Sequence, residues 1–300
     1  MPPLVAVVGP TGIGKTAVAI ELAQRLNGEI VGADSRQVYR EMEIGTAKPT
    51  RAEQAAVPHR LIDVVAPNEP FSLAMYYDAA TDAIADITRR GKLPLLVGGT
   101  GQYLQAVLEG WQIPRVAPNW ARRAAWEAQA ATEGVATLYA HLALIDPLAA
   151  QGIMPNNLRR IIRALEVYAV TGRPISERQT KVPPPYRITT LWLDVERDQL
   201  YPRLDARVER MMGLGLLQEV TSLVERGYDW SLPAMSSLGY REWQPYFMGE
   251  ATVAACVERL KFNTHNFVRK QTSWFKRLPK LQRISAEGDV LWKALAAYHT

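Results

Sequence analysis

Eight residues near the N-terminus restrict this chain more than any others: Gly9-Pro10-Thr11-Gly12-Ile13-Gly14-Lys15-Thr16, which is Gly, four residues, then Gly-Lys-Thr. The spacing is that of a phosphate loop, and its surroundings agree. The apolar run Leu4-Val5-Ala6-Val7-Val8 before it predicts a buried parallel strand, and Val18, Ala19, Leu22, Ala23 and Leu26 after it recur at helical spacing. The glycines let the backbone curl until several N–H groups point inward, and the helix N-terminus adds partial positive charge there. Lys15 supplies a full charge, and the Thr16 hydroxyl can ligate a magnesium ion. A di- or triphosphate is the ligand such a loop is built for. The chain should therefore be an α/β protein with a phosphate-loop type of parallel sheet flanked by helices.

Three hundred residues at 48% hydrophobic content suffice for a large core, as one domain with an insertion or two unequal domains. Cys256 is the only cysteine, so neither an internal disulfide nor a cysteine-rich zinc site can form, and a buried, inert thiol is expected. The four histidines, His59, His141, His265 and His299, are too scattered to suggest a metal centre. No apolar run reaches membrane-spanning length and no signal core precedes the first strand, so a cytoplasmic protein is expected. The net charge of +5 is modest, but Arg259 to Ala286 holds eight Lys or Arg and no acid, with Phe262, Phe267, Trp274 and Phe275 among them. That pattern fits either a solvated helix face or a nucleic-acid surface.

Along the chain, Asn27-Gly28 ends the first helix, and Glu29 to Ala33 predicts a strand ending at Asp34-Ser35-Arg36-Gln37. Open α/β sheets bind ligands beyond the carboxyl ends of their strands, so Asp34 should lie near the phosphate loop. Tyr39 to Pro70 shows no periodicity and is expected to be mostly loop. Ser72 caps a helix with the stripe Tyr76, Ala79, Ala80, Ala83, Ile84 and Ile87, ending at Gly91. Leu93 to Val97 is the next strand. Gly98-Gly99-Thr100-Gly101 follows it, where ordinary phosphate-loop ATPases place a magnesium-holding Asp. Gln102 to Glu109 is a short helix.

From 111 to 187 the pattern becomes wholly helical, with proline joints and ten Arg or Lys against five acids, and predicts an inserted all-helical subdomain between core segments 1–110 and 188–300. Its clearest helix ends at Thr171, with Leu158, Ile161, Ile162, Leu165 and Ala169 as its apolar stripe. Arg159, Arg160 and Arg163 lie off that stripe, for phosphate contact or for surface ion pairs with neighbours such as Glu166. Arg187 to Asp194 returns to strand. A helix follows with the stripe Leu200, Leu204, Val208 and Met211; its Arg207 either reaches a phosphate or lies on the surface. The helix Leu216 to Arg226 comes next, and a long one from about Glu250 to Leu278 buries Val253, Val257, Leu260, Val268 and Phe275.

Several stretches together resemble the tRNA dimethylallyltransferase, or tRNA isopentenyltransferase, family over nearly the whole chain. They are the phosphate loop, Ala33-Asp-Ser-Arg-Gln-Val-Tyr-Arg40, Ile44-Gly-Thr-Ala-Lys-Pro49, Val97-Gly-Gly-Thr-Gly-Gln-Tyr-Leu104 and the Arg159 to Pro174 segment. The Asp-Ser-Arg-Gln-Val-Tyr block is the most restrictive. Gly32 stands where the family commonly has Ser and Asn157 where it has Asp, and Thr264 to Gln271 loosens an arginine-rich pattern. No zinc-finger extension of the eukaryotic kind follows, which fits a bacterial-type form.

The resemblance implies transfer of a dimethylallyl group from dimethylallyl diphosphate to the exocyclic amine of the adenosine 3′ of the anticodon (tRNA position 37), in tRNAs reading codons that begin with U. The missing strand-end carboxylate then has a reason: the loop holds a leaving diphosphate, not a nucleotide to be hydrolysed. On this analogy Gly9 to Thr16 and Arg207 bind diphosphate with Mg2+ on Thr16, and Lys15, Asp34 and Thr100 are catalytic. Asp34 is the candidate base, its rival role being an Asx turn at the strand end. Asp34, Ser35, Arg36, Gln37, Thr100, Arg122, Arg159, Arg160 and Arg163 would grip the tRNA anticodon stem-loop, and a monomer is expected. An adenylate isopentenyltransferase, a small-molecule kinase and a non-catalytic RNA-binding protein are the rivals. The subdomain and basic helix argue against the first, and the last leaves Asp34 and Thr100 idle.

Overall fold

A computed structural model describes residues 1–299. In chain order it contains β1 (Pro3–Val8), α1 (Lys15–Arg25), β2 (Gly28–Ala33), α2 (Arg51–Ala56), β3 (His59–Arg60), α3 (Leu73–Arg89), β4 (Leu93–Gly98) and α4 (Gly101–Glu109). The helices α5 (Trp120–Glu133), α6 (Val135–Ile145), α7 (Pro147–Gly152), α8 (Leu158–Thr171) and α9 (Ile175–Arg178) come next. After them come β5 (Arg187–Asp194), α10 (Arg197–Gly213), α11 (Leu216–Glu225), α12 (Gln244–Phe247), α13 (Val253–Phe275), β6 (Leu281–Ser285) and α14 (Val290–His299). The chain forms two compact units, Met1–Leu108 with the chain from Pro184 onward, and Glu109–Pro183.

The first unit is a six-stranded, all-parallel sheet of order β3-β2-β4-β1-β5-β6, the phosphate-loop type of fold. Strand side chains alternate between faces, so β1 serves two cores at once. Val5 and Val7 pack with Leu22 of α1, Leu204 of α10 and Val268 of α13. Leu4, Ala6 and Val8 pack on the opposite face with Tyr76 and Ile84 of α3, Leu104 of α4 and Phe275. The register then positions the site. Gly98 of β4 pairs with Val8 on one side and Ala33 on the other, so Gly9, Asp34 and Gly99 leave the sheet at one level.

Tyr39 to Pro70 is more ordered than periodicity suggests. Thr50 and Glu53 form a reciprocal capping box on α2, and His59 pairs with Ile30 in the edge strand. A six-residue helix that buries nothing and a two-residue strand leave no repeating pattern to read. Leu281 to Ser285, not recognised in the sequence, extends the sheet beside β5. The long helix is shorter at both ends than its pattern, capped by Thr252, and Val253 is only partly buried. Cys256 is buried, and desolvation raises its thiol pKa.

The second unit packs α5 to α9 around Leu138, Leu142, Ile161, Ile162 and Leu165; Ala169, expected in the stripe, is exposed. The Glu166 side chain is fully buried at its centre. It accepts from the Asn119 N–H at 2.8 Å, from Arg123 at 2.9 and 2.7 Å, and from Arg163 at 2.7 Å. Arg163 also donates to the carbonyls of Pro114 and Val116. Burial alone would raise the Glu166 carboxyl, but the bonds from Arg123, the Asn119 amide and Arg163 hold it down to about 2. A depressed carboxyl contributes stability above its ordinary range, and that contribution disappears as pH falls from the unfolded value toward about 2. Glu166→Gln should therefore lower the unfolding free energy of this unit by about 1–3 kcal/mol, because two arginines lose a charged acceptor. Denaturant unfolding tests this, and an unchanged midpoint would show that the cluster adds nothing.

Candidate active site

The phosphate loop leaves β1 and enters α1 through Gly14, the helix N-cap, in the left-handed region at φ 93°. An L side chain rarely adopts that angle. With no side chain capping it, the first turn of α1 keeps its N–H groups for a ligand. Lys15 folds back over the loop, its Nζ donating to the Pro10 carbonyl at 2.9 Å. Desolvation lowers its pKa to about 8, the nearby Asp34 carboxylate raises it, and Arg207 lowers it. Arg207 is desolvated too, which lowers its pKa, while Asp34 raises it. The arginine left open between surface and phosphate therefore shares an electrostatic site with Lys15 and Asp34.

Asp34, Thr11 and Arg207 line one cavity of about 600 Å³ together with Arg36 and Thr46 and, on α13, Asn263, Arg269 and Lys270. Asp34 Oδ1 accepts from the Arg36 N–H at 2.9 Å, which is the Asx turn. The turn does not exclude a base role, since an ionised carboxylate has about four acceptor positions and this one also faces the cavity. Thr100 braces the same turn. Its Oγ1 accepts from the Ser35 N–H at 2.9 Å and donates to Ser35 Oγ at 3.3 Å, and its own N–H donates to the Ala33 carbonyl at 3.1 Å.

Two residues expected to grip RNA are engaged inside the protein. The Gln37 amide donates to the carbonyls of Thr46 and Ala47, and the Arg36 guanidinium donates to the Pro233 carbonyl at 2.7 Å while still lining the cavity. On the helical unit, Arg122, Arg159 and Arg160 are exposed, whereas Arg163 is bound into the Glu166 cluster. Of the basic run, Lys261 pairs with Glu209 and Glu258, and Arg283 pairs with Asp194. Phe262 and Phe267 are exposed, while Phe275 is core.

Sequence reading missed two further residues. The Glu219 carboxylate accepts from three successive N–H groups, Glu43, Ile44 and Gly45, and from the Tyr240 hydroxyl at 2.6 Å, and so fixes the loop that carries Thr46 into the cavity. Gln271 interrupts the buried stripe of α13, bonding to Thr11 and Gly99. A polar residue at an apolar position of the helical repeat was the available signal for it. Among the described residues no cluster of three His, Cys, Asp or Glu could hold a metal, and no helix is long and apolar enough to cross a membrane.

Comparison with known proteins places the chain in a family. Residues 37–278 match the IPP transferase family model and residues 2–62 the isopentenyl transferase model. The curated tRNA dimethylallyltransferase of Roseiflexus castenholzii is 62% identical over 297 residues, covering 99% of this chain and 97% of that protein. Its counterpart in Chloroflexus aurantiacus is 60% identical over 297 residues, covering 99% and 100%. Among solved structures, the tRNA isopentenylpyrophosphate transferase of Bacillus halodurans aligns over 100% of both chains at 37% identity and a TM-score of 0.72. A eukaryotic dimethylallyltransferase acting on tRNA aligns over 100% of this chain and 77% of its own, at 28% identity and a TM-score of 0.85. A family model covering most of the residues, with relatives near 60% identity from end to end, shows that this chain belongs to the tRNA dimethylallyltransferase family of prenyltransferases, in its bacterial form.

Proposed function

We propose that this chain transfers a dimethylallyl group from dimethylallyl diphosphate to the exocyclic amine of the adenosine 3′ of the anticodon, tRNA position 37, in tRNAs reading codons that begin with U. The observation that carries the reading is one cavity wall shared by a carboxylate, Asp34, and a phosphate-loop residue, Thr11, with Lys15 and Arg207 electrostatically coupled to that carboxylate. In the step, the amine nitrogen forms a bond to the allylic carbon, the carbon–oxygen bond breaks, and its electron pair leaves on the diphosphate. The amine's proton goes to Asp34. An adenine amine is a weak nucleophile because its lone pair is delocalised into the ring, so a base at that nitrogen matters. The loop N–H groups, Lys15 and Arg207 face the charge that develops on the leaving oxygen. Thr100 and the Arg36 N–H keep the Asp34 turn in place.

The residues present fit a magnesium ion. Thr16 places a hydroxyl in the first turn of α1, where it would be one ligand of an ion whose others would be phosphate oxygens and water. When bound, it would neutralise diphosphate charge.

The target base must leave the anticodon-loop stack, which costs less for a loop nucleotide than for a paired one. Arg122, Arg159 and Arg160 remain the candidates for gripping that loop. Arg159→Ala combined with Arg160→Ala should weaken tRNA binding and flatten its salt dependence by about 0.7–0.9 per lost phosphate contact. An unchanged slope would assign both side chains to the solvated surface.

The direct test incubates unmodified tRNA with the protein, magnesium and dimethylallyl diphosphate, followed by mass analysis of the nucleosides. Adenosine heavier by one dimethylallyl group, only with donor present, is the expected result. Unmodified tRNA together with prenylated free adenine nucleotide, or consumption of ATP, would overturn it.

A further inference from the structure

Gln271 is 6% exposed, on the face of α13 that otherwise buries Leu260, Val268 and Phe275. A buried amide is costly unless both ends are hydrogen-bonded, and both are. Its Oε1 accepts from the Thr11 N–H at 2.9 Å, and its Nε2 donates to the Gly99 carbonyl at 3.0 Å. One partner needs an acceptor and the other a donor, so the amide is fixed in one orientation.

The two partners belong to the two halves of the site. Thr11 lies in the phosphate loop. Gly99 is joined to Thr100, whose hydroxyl holds the Ser35 N–H next to Asp34. One path therefore runs Thr11, Gln271, Gly99, Thr100, Ser35, Asp34, from the leaving-group cradle to the base. The glycines flanking Thr100 show how closely α13 is seated. A Cβ on Gly99 would lie 2.5 Å from Gln271 Nε2, and one on Gly101 would lie 2.8 Å from the Trp274 ring. We propose that Gln271 is a positioning residue that holds the phosphate loop in register with the Asp34 turn, so that the transfer step depends on it more than donor affinity does.

The proposal rests on the reading of the loop as a diphosphate site and of Asp34 as base. Its physical reason is alignment: nucleophile, base and leaving group must reach attack geometry together, and a displacement of about 1 Å costs roughly a hundredfold in rate. The diphosphate contacts themselves come from the loop N–H groups, Lys15 and Arg207, none of which Gln271 replaces.

Two variants test it. Gln271→Met keeps the volume and removes both bonds. Its thermal midpoint, its affinity for inorganic diphosphate and its single-turnover rate at saturating donor and tRNA are measured beside the parent's. The expected result is a rate lower by about ten- to a hundredfold with diphosphate affinity within about threefold. Gln271→Glu keeps the Thr11 bond but, ionised, sets a carboxylate against the Gly99 carbonyl. Protonating that buried carboxyl restores the donor, so its rate relative to the parent should recover as pH falls. Asp34, Lys15, Arg207, Arg269 and Lys270 are present in both proteins, so the parent profile is the reference against which the variant is read. This variant decides the matter should Gln271→Met not fold. A Gln271→Met rate within about twofold of the parent, a rate loss matched by an equal loss of diphosphate affinity, or a Gln271→Glu ratio that stays well below one and flat in pH would each overturn the proposal. A parent that neither binds diphosphate nor prenylates tRNA would instead remove the reading beneath it.

Discussion

Asp34→Asn is expected to slow single-turnover prenyl transfer by about a hundredfold or more, the range for loss of a positioned base. The choice of Asn separates the two roles of this side chain. Its amide oxygen can still accept from the Arg36 N–H at the position Oδ1 occupies, so the Asx turn survives while the proton acceptor is lost. Asp34→Ala removes both and should be at least as slow. Diphosphate affinity should hold or rise in either variant, because the carboxylate, close enough to shift Lys15 and Arg207, also repels the anion those cations attract. If Asp34→Asn transfers at the parent rate while Asp34→Ala does not, the turn matters and the base lies elsewhere. If both match the parent, Asp34 has no part in the chemistry.

Lys15→Ala should cost about a hundred- to a thousandfold in rate, as removal of one fixed donor aimed at developing charge does elsewhere. Lys15→Arg gives the finer measurement. Desolvation and Arg207 bring the Lys15 pKa down to about 8 against the help from Asp34. A bound anion favours the protonated form, so above pH 8 tight diphosphate binding takes up a proton, and its apparent Kd should rise by up to tenfold per pH unit. An arginine stays charged throughout and has no such limb. Diphosphate's own ionisation cancels in the ratio of the two dissociation constants, which should therefore change with pH above 8 and be flat below 7. A ratio flat from pH 6 to 10 would show that Lys15 keeps its proton over that range without the anion.

Sequence alone determined the phosphate loop, the strands β1, β2, β4 and β5, and the stripes of α3 and α10, because each is a local pattern. A parallel strand covered on both faces is a continuous apolar run, and a packed helix repeats its apolar positions every three to four residues. Asp34 was legible for the same reason, standing at the carboxyl end of a readable strand. Short elements such as α2 and β3 escaped because they have too few residues to establish a period. Only the tertiary structure decided how polar side chains are used. Arg159 and Arg163 are alike in sequence, yet one is exposed and the other is bound to Glu166. Gln37 proved to be a brace for its own loop, and Arg207 a wall of the cavity. Gln271 and Thr11 meet across 260 residues of chain. Hydrogen bonds and ion pairs reach only a few ångströms and depend on which groups the fold brings together, so their partners follow from the packed chain and not from the spacing of residues along it.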